Sequence, residues 1–163
     1  MGYKAKTSSD GSRRMIDTIS GRSASVLYPG NASCGGRMKV LTAASTLTHA
    51  DNGTVFLLNS ATEFATTLPA PFLGAEFQFI VKAAPAGANY TIVTASSGNV
   101  IIGMQNSVAG DAGDTGTADD TISFVAGSSL AGDRVELFSD GTSWFAYATS
   151  KVAAAITFTQ AST

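Results

Sequence analysis

Residues 133–149 read Asp133-Arg134-Val135-Glu136-Leu137-Phe138-Ser139-Asp140-Gly141-Thr142-Ser143-Trp144-Phe145-Ala146-Tyr147-Ala148-Thr149. Two alternating runs flank Asp140-Gly141. Val135 and Leu137 share one side of the first run, opposite Glu136 and Phe138. Trp144, Ala146 and Ala148 share one side of the second, opposite Phe145 and Tyr147. A period of two marks a strand, because successive side chains leave the pleat on opposite faces. Glycine tolerates the positive φ of a tight turn, so an Asp-Gly pair between two such runs predicts a hairpin.

The same reading extends upstream. Phe77, Phe79 and Val81 alternate with Glu76, Gln78, Ile80 and Lys82. Short runs rich in Val, Ile, Phe and Thr recur, with Gly, Asn, Asp and Pro between them. They predict strands at 39–47, 53–59, 62–68, 75–84, 90–95, 99–103, 120–126 and 152–159, besides the two of the hairpin. Pro69 and Pro71 end one strand, since proline cannot donate to a ladder. Residues 103–119 read as a long loop. No long stretch carries an apolar stripe at helical spacing. The expected fold is all-β: an antiparallel β-sandwich, jelly-roll-like, with an extended N-terminal arm.

Charge divides the chain in two. Residues 1–39 hold seven bases against Asp10 and Asp17, a formal charge of +5. Residues 40–163 hold Lys82, Arg134 and Lys151 against ten acids, a formal charge of −7. The expected organisation is therefore a basic arm over 1–39 and a β-sandwich domain over 40–163. The arm lacks sustained periodicity. Its charged contacts would come from Lys4, Lys6, Arg13, Arg14, Arg22, Arg37 and Lys39, and its apolar pegs are Tyr3, Ile16, Ile19 and Tyr28. Charged residues make up 13 % of the chain, where soluble monomers carry about 25 %. Such a deficit fits a surface partly covered by other subunits, and equally a sandwich with a Ser/Thr surface.

Motifs for chemistry are sparse. Cys34 is the single cysteine, so no intrachain disulfide is expected. The opening residues are polar and predict no secretory leader. No apolar run reaches the length of a membrane span, and no membrane partner is expected. Asp111, Asp114, Asp119 and Asp120 are the one carboxylate cluster that a hard cation could use. Their spacing departs from an EF-hand, with Gly113, Thr115 and Ile122 where ligands belong, and Asp and Gly also simply favour turns. His49 is the only histidine and sits in a turn beside Asp51, with no nucleophile elbow in the chain. No phosphate-cradling glycine motif is present. No catalytic residue and no cofactor are expected. The bases are too scattered for a nucleic-acid arm, so an acidic protein surface is the better partner.

Three segments carry a resemblance. The first is Leu41-Thr42-Ala43-Ala44 ahead of Asn52-Gly53-Thr54-Val55-Phe56-Leu57-Leu58-Asn59. The second is Thr67-Leu68-Pro69-Ala70-Pro71, followed by Gly74-Ala75-Glu76-Phe77-Gln78-Phe79-Ile80-Val81. The third is Asp133 to Trp144. In this order they resemble a family of small bacteriophage virion proteins, the capsid decoration proteins, and also parts of phage fibres. The resemblance implies a non-enzymatic protein that stabilises a capsid from outside by binding the major capsid protein. It also implies a homotrimer whose terminal arms grip the shell. The location would be the outer capsid surface, after assembly in the host cytoplasm. The alternative is a receptor- or glycan-binding module of a fibre or spike, with Trp144, Phe145 and Tyr147 as a stacking platform; against it, Trp144 is better read as a core residue beside the Asp140-Gly141 hairpin.

Overall fold

The computed structural model describes residues 4–7, 13–16, 37–96, 98–107 and 118–160. The chain divides into two compact units, Met1–Gly36 and Arg37–Thr163. In the first, β1 (Lys4–Thr7) and β2 (Arg13–Ile16) form an antiparallel pair.

The second unit is all-β, and among the described residues it has no α-helix. Its strands are β3 (Arg37–Leu41), β4 (Ser45–Thr46), β5 (Thr54–Leu58), β6 (Ala65–Thr67), β7 (Leu73–Val81) and β8 (Tyr90–Val93). They continue with β9 (Ile101–Ser107), β10 (Thr121–Phe124), β11 (Arg134–Asp140), β12 (Trp144–Ser150) and β13 (Ile156–Thr159). Two sheets result, ordered β3-β5-β7-β11-β12-β9 and β13-β10-β8-β6-β4. Their inner faces share one core, so the body is sandwich-like. Phe56 stacks on Phe79 at 5.3 Å between ring centroids, and Phe77 meets Trp144 at 5.6 Å. Tyr90 is buried on the opposing sheet, and its hydroxyl donates to the Ser60 carbonyl at 2.8 Å and accepts from the Ser60 amide at 3.0 Å. A buried phenol is tolerable only with such partners.

Strand direction departs from the antiparallel expectation, because both sheets are mixed. β5 lies parallel to β3 and β7, β6 lies parallel to β4 and β8, and β9 lies parallel to β12. The cause is the path of the chain. From β3 to β11 each successive strand joins the other sheet. Up to β9, a strand that runs out in one sheet and back in the other leaves its successors in the same sheet parallel; the sense changes at β10, so β10 pairs antiparallel with β8 and β11 antiparallel with β7. The Asp140-Gly141 turn keeps the chain within one sheet. It closes a true hairpin between β11 and β12, with Gly141 at φ 96°. The Asp140 carboxylate accepts from the Thr142 and Ser143 amides, each at 2.8 Å.

The arm boundary also moves. β3 starts at Arg37, so Arg37 and Lys39 lie in the body, and the strand expected over 39–47 is two strands, one in each sheet. The basic segment through residue 36 then carries +3 and the body −5. Part of the expected loop 103–119 is strand as well, since β9 continues to Ser107.

Candidate interaction surfaces

The residues expected to grip a partner separate into three groups. Lys4 and Lys6 lie on β1, and Arg13, Arg14 and Ile16 on β2; the register sets Lys6 opposite Arg14 and Lys4 opposite Ile16. Tyr3, Ile19, Arg22, Tyr28 and also Cys34 lie outside the described residues. Arg37 and Lys39 are engaged within their own body. The Arg37 guanidinium donates through Nη2 to the carbonyls of Ala50 at 3.0 Å and Asn52 at 2.9 Å. The Lys39 ammonium pairs with the Asp51 carboxylate. Both bonds fasten edge strand β3 to the short 3-10 turn His49–Asp51. That hydrogen bond from Lys39, reinforced by the Thr48 amide, holds the Asp51 carboxyl below the usual carboxylate range.

Of the carboxylate cluster, Asp111 and Asp114 lie outside the described residues. Asp119 and Asp120 are buried at the junction of the two sheets. The Asp119 backbone exchanges two hydrogen bonds with Ile101, and Asp120 bonds backbone to backbone with Thr94 and Thr159. The Asp120 carboxylate accepts from the Thr121 hydroxyl at 2.7 Å. Among the described residues no group of three or more His, Cys, Asp or Glu could hold a metal ion. His49 is exposed and meets Phe72 at a tilt, with ring centroids 4.2 Å apart, while its neighbour Asp51 is committed to Lys39 and Thr48.

Trp144 belongs to the core and not to an aromatic platform. It is fully buried and faces Phe77 and Phe72, opposite in parity to Phe145 and Tyr147. The latter two point outward and join a wider surface.

That surface is the outer face of the six-stranded sheet. Strand register lays its side chains in ranks across the strands. One rank runs Met38, Val55, Gln78, Glu136, Tyr147, Met104. The next runs Val40, Leu57, Ile80, Arg134, Thr149, Asn106. A shorter one runs Glu76, Phe138, Phe145, Ile102. Met38 is 62 % exposed, Met104 55 % and Tyr147 46 %. Phe138 and Tyr147 meet edge-on at 6.2 Å. The polar centre is internally satisfied: Gln78 Nε2 donates to Glu136 Oε1 at 3.0 Å, and Arg134 pairs with Glu136 at 3.5 Å. The other sheet presents a different chemistry. Its outer rank is Thr46, Thr67, Val93, Thr121, Thr159. One face of the body thus offers hydroxyls to water and the other offers large apolar side chains.

The signal for the apolar face was present in the sequence. Strands β9 and β12 carry apolar residues at both parities, Ile102 and Met104 in one and Phe145 and Tyr147 in the other. A sheet with one wet side does not need that. No family model, no curated protein and no solved structure matches this chain.

Proposed function

We propose that the protein is a non-enzymatic virion structural protein that decorates and stabilises a bacteriophage capsid by binding its major capsid protein shell. The observation that carries this reading is the outer face of the six-stranded sheet. Soluble monomers rarely leave a contiguous apolar surface of more than a few hundred Å² in water. A face that exposes Met38, Val40, Ile102, Met104, Phe138 and Tyr147 around a polar centre suits a protein that works against other protein surfaces. The shortage of charge and the resemblance to decoration proteins support the same role. In this reading the N-terminal segment is the arm that grips the shell. Lys4, Lys6, Arg13, Arg14 and Arg22 meet shell carboxylates, and Tyr3, Ile16, Ile19 and Tyr28 fill apolar pockets. Arg37 and Lys39 drop out of that set, because their donors are used inside the body.

The test is co-sedimentation with expanded capsids that lack the protein. The full chain pellets with the shells. A variant with Lys4, Lys6, Arg13 and Arg14 all changed to Glu loses binding by about a hundredfold, since each reversed contact turns attraction into repulsion. Undiminished binding by that variant sinks the arm. The exposed aromatics Phe138 and Tyr147, with half-buried Phe145 on the same pair of strands, favour one second reading, a glycan-binding fibre module. A saccharide hit on a glycan array that Tyr147→Ala abolishes would decide for it.

A further inference from the structure

We infer that the outer face of the six-stranded sheet pairs with the same face of a second copy of this chain, about a two-fold axis running across the strands. The argument rests on where the charges of that face stand. On β7, Glu76 is exposed near the start of the outward side, and Lys82, one residue past the strand and also exposed, continues the same parity at the far end. On β11, Arg134 stands in one rank and Glu136 in the next. The face therefore carries three charges of each sign, Glu76, Glu136 and Asp140 against Lys82, Arg134 and Lys151, and the β7 and Arg134–Glu136 pairs are each ordered along the strand direction.

A half-turn about an axis lying between these two ranks exchanges them. It sets Glu76 of each copy over Lys82 of the other. It sets Arg134 of each copy over Glu136 of the other, turning two side-by-side pairs into an alternating group of four. The same operation lays Met38 against Val40 and Val55 against Leu57, apolar on apolar. A face with one net sign would repel its own copy. This one becomes complementary to itself under a single rotation, which is the requirement of an isologous contact. A three-fold arrangement joins different patches and leaves this complementarity unused.

Area is consistent with the pairing. Strands about 4.8 Å apart, with about five residues each at about 3.3 Å, give the face a projected area of about 400 Å². Side-chain relief raises the accessible area above the projection, towards the roughly 800 Å² per partner of a stable interface. Two sheets meeting in this way pack about 10 Å apart, with their strands nearly aligned.

The pairing does not depend on the virion reading: shells can fail to bind while the dimer stands. The experiment is sedimentation equilibrium on the full chain. The wild-type protein is expected to run as a dimer. Glu76→Lys and Lys82→Glu each weaken association by about tenfold, because two like-charge contacts replace two attractive ones. An equimolar mixture of the two variants regains the wild-type affinity, since the mixed pair again sets opposite charges over one another at both contacts. A single chain carrying both reversals does the same. Both positions are exposed, so the core is untouched. A wild-type monomer or trimer overturns the inference. So do reversal variants that associate like the wild type, or a mixture no tighter than its components.

Discussion

The Asp51 carboxylate accepts three hydrogen bonds, from the Lys39 ammonium, the Thr48 amide and the Thr48 hydroxyl. All three favour its ionised form, and its folded-state pKa lies below the ordinary value of 3.8. The sign of the linkage follows. A depressed carboxylate contributes stability above its unfolded pKa and loses that contribution as pH falls through the lower, folded value. The wild-type melting temperature is therefore expected to drop below about pH 4. Asp51→Asn is expected to be less stable at pH 7 by about 1 kcal/mol and to converge on the wild type as pH falls. Thermal unfolding followed by circular dichroism across that range checks this. Parallel curves for the two proteins would show that the carboxylate contributes nothing. In the sequence, Asp51 was visible only as a neighbour of His49, and Lys39 only as one more charge of the arm. Their pairing depends on a twelve-residue loop returning to its start, which no local pattern encodes.

Edge strands need protection from stray pairing, and both flanks of the sandwich receive it from side chains. On one flank Phe158 of β13 lies over Gly103 of β9 so closely that a Cβ at Gly103 would stand 2.4 Å from the ring. On the other flank β3 is fastened to the 3-10 turn by Arg37 and Lys39. Arg37 donates to two carbonyls that have left regular structure, so removing it leaves edge strand and turn free to part. Arg37→Met, which keeps the aliphatic stem, is expected to speed amide exchange over 37–41 by about tenfold, the equivalent of about 1.4 kcal/mol of local opening. Central strand β11 should keep its protection. Hydrogen exchange read peptide by peptide separates the two; equal acceleration in β11 would mean that Arg37 supports the whole body and not an edge. The strands themselves were legible. Each expected run overlaps at least one, and the Asp140-Gly141 hairpin stands where its turn chemistry put it. Strand direction was not legible. A turn that reverses the chain within a sheet and one that carries it to the opposite sheet use the same Gly, Asn and Pro, and the choice is made by what each face can bury.

At the scale of the whole molecule the chain is a +3 segment joined to a −5 body, and the body holds its own core. Among the described residues that core begins at Leu41 and runs to Phe158, with the Phe56–Phe79 stack and the Trp144 contacts in its middle. Residues 37–163 form a compact unit of their own. Removing residues 1–36 is therefore expected to leave a cooperatively folding β body, with a melting temperature within about 3 °C of the full chain, less than a 1 kcal/mol loss would produce in a domain of this size. The two-fold pairing should survive too, because Glu76, Lys82, Arg134 and Glu136 all lie in the body. Under the proposed function capsid binding should not survive, since the residues proposed to grip the shell have gone. These three readouts move independently. A truncated body that melts far below the full chain would make the N-terminal segment part of the fold. One that folds but no longer pairs would place the self-contact in the arm, and one that still pellets with shells would transfer the gripping role to the apolar sheet face.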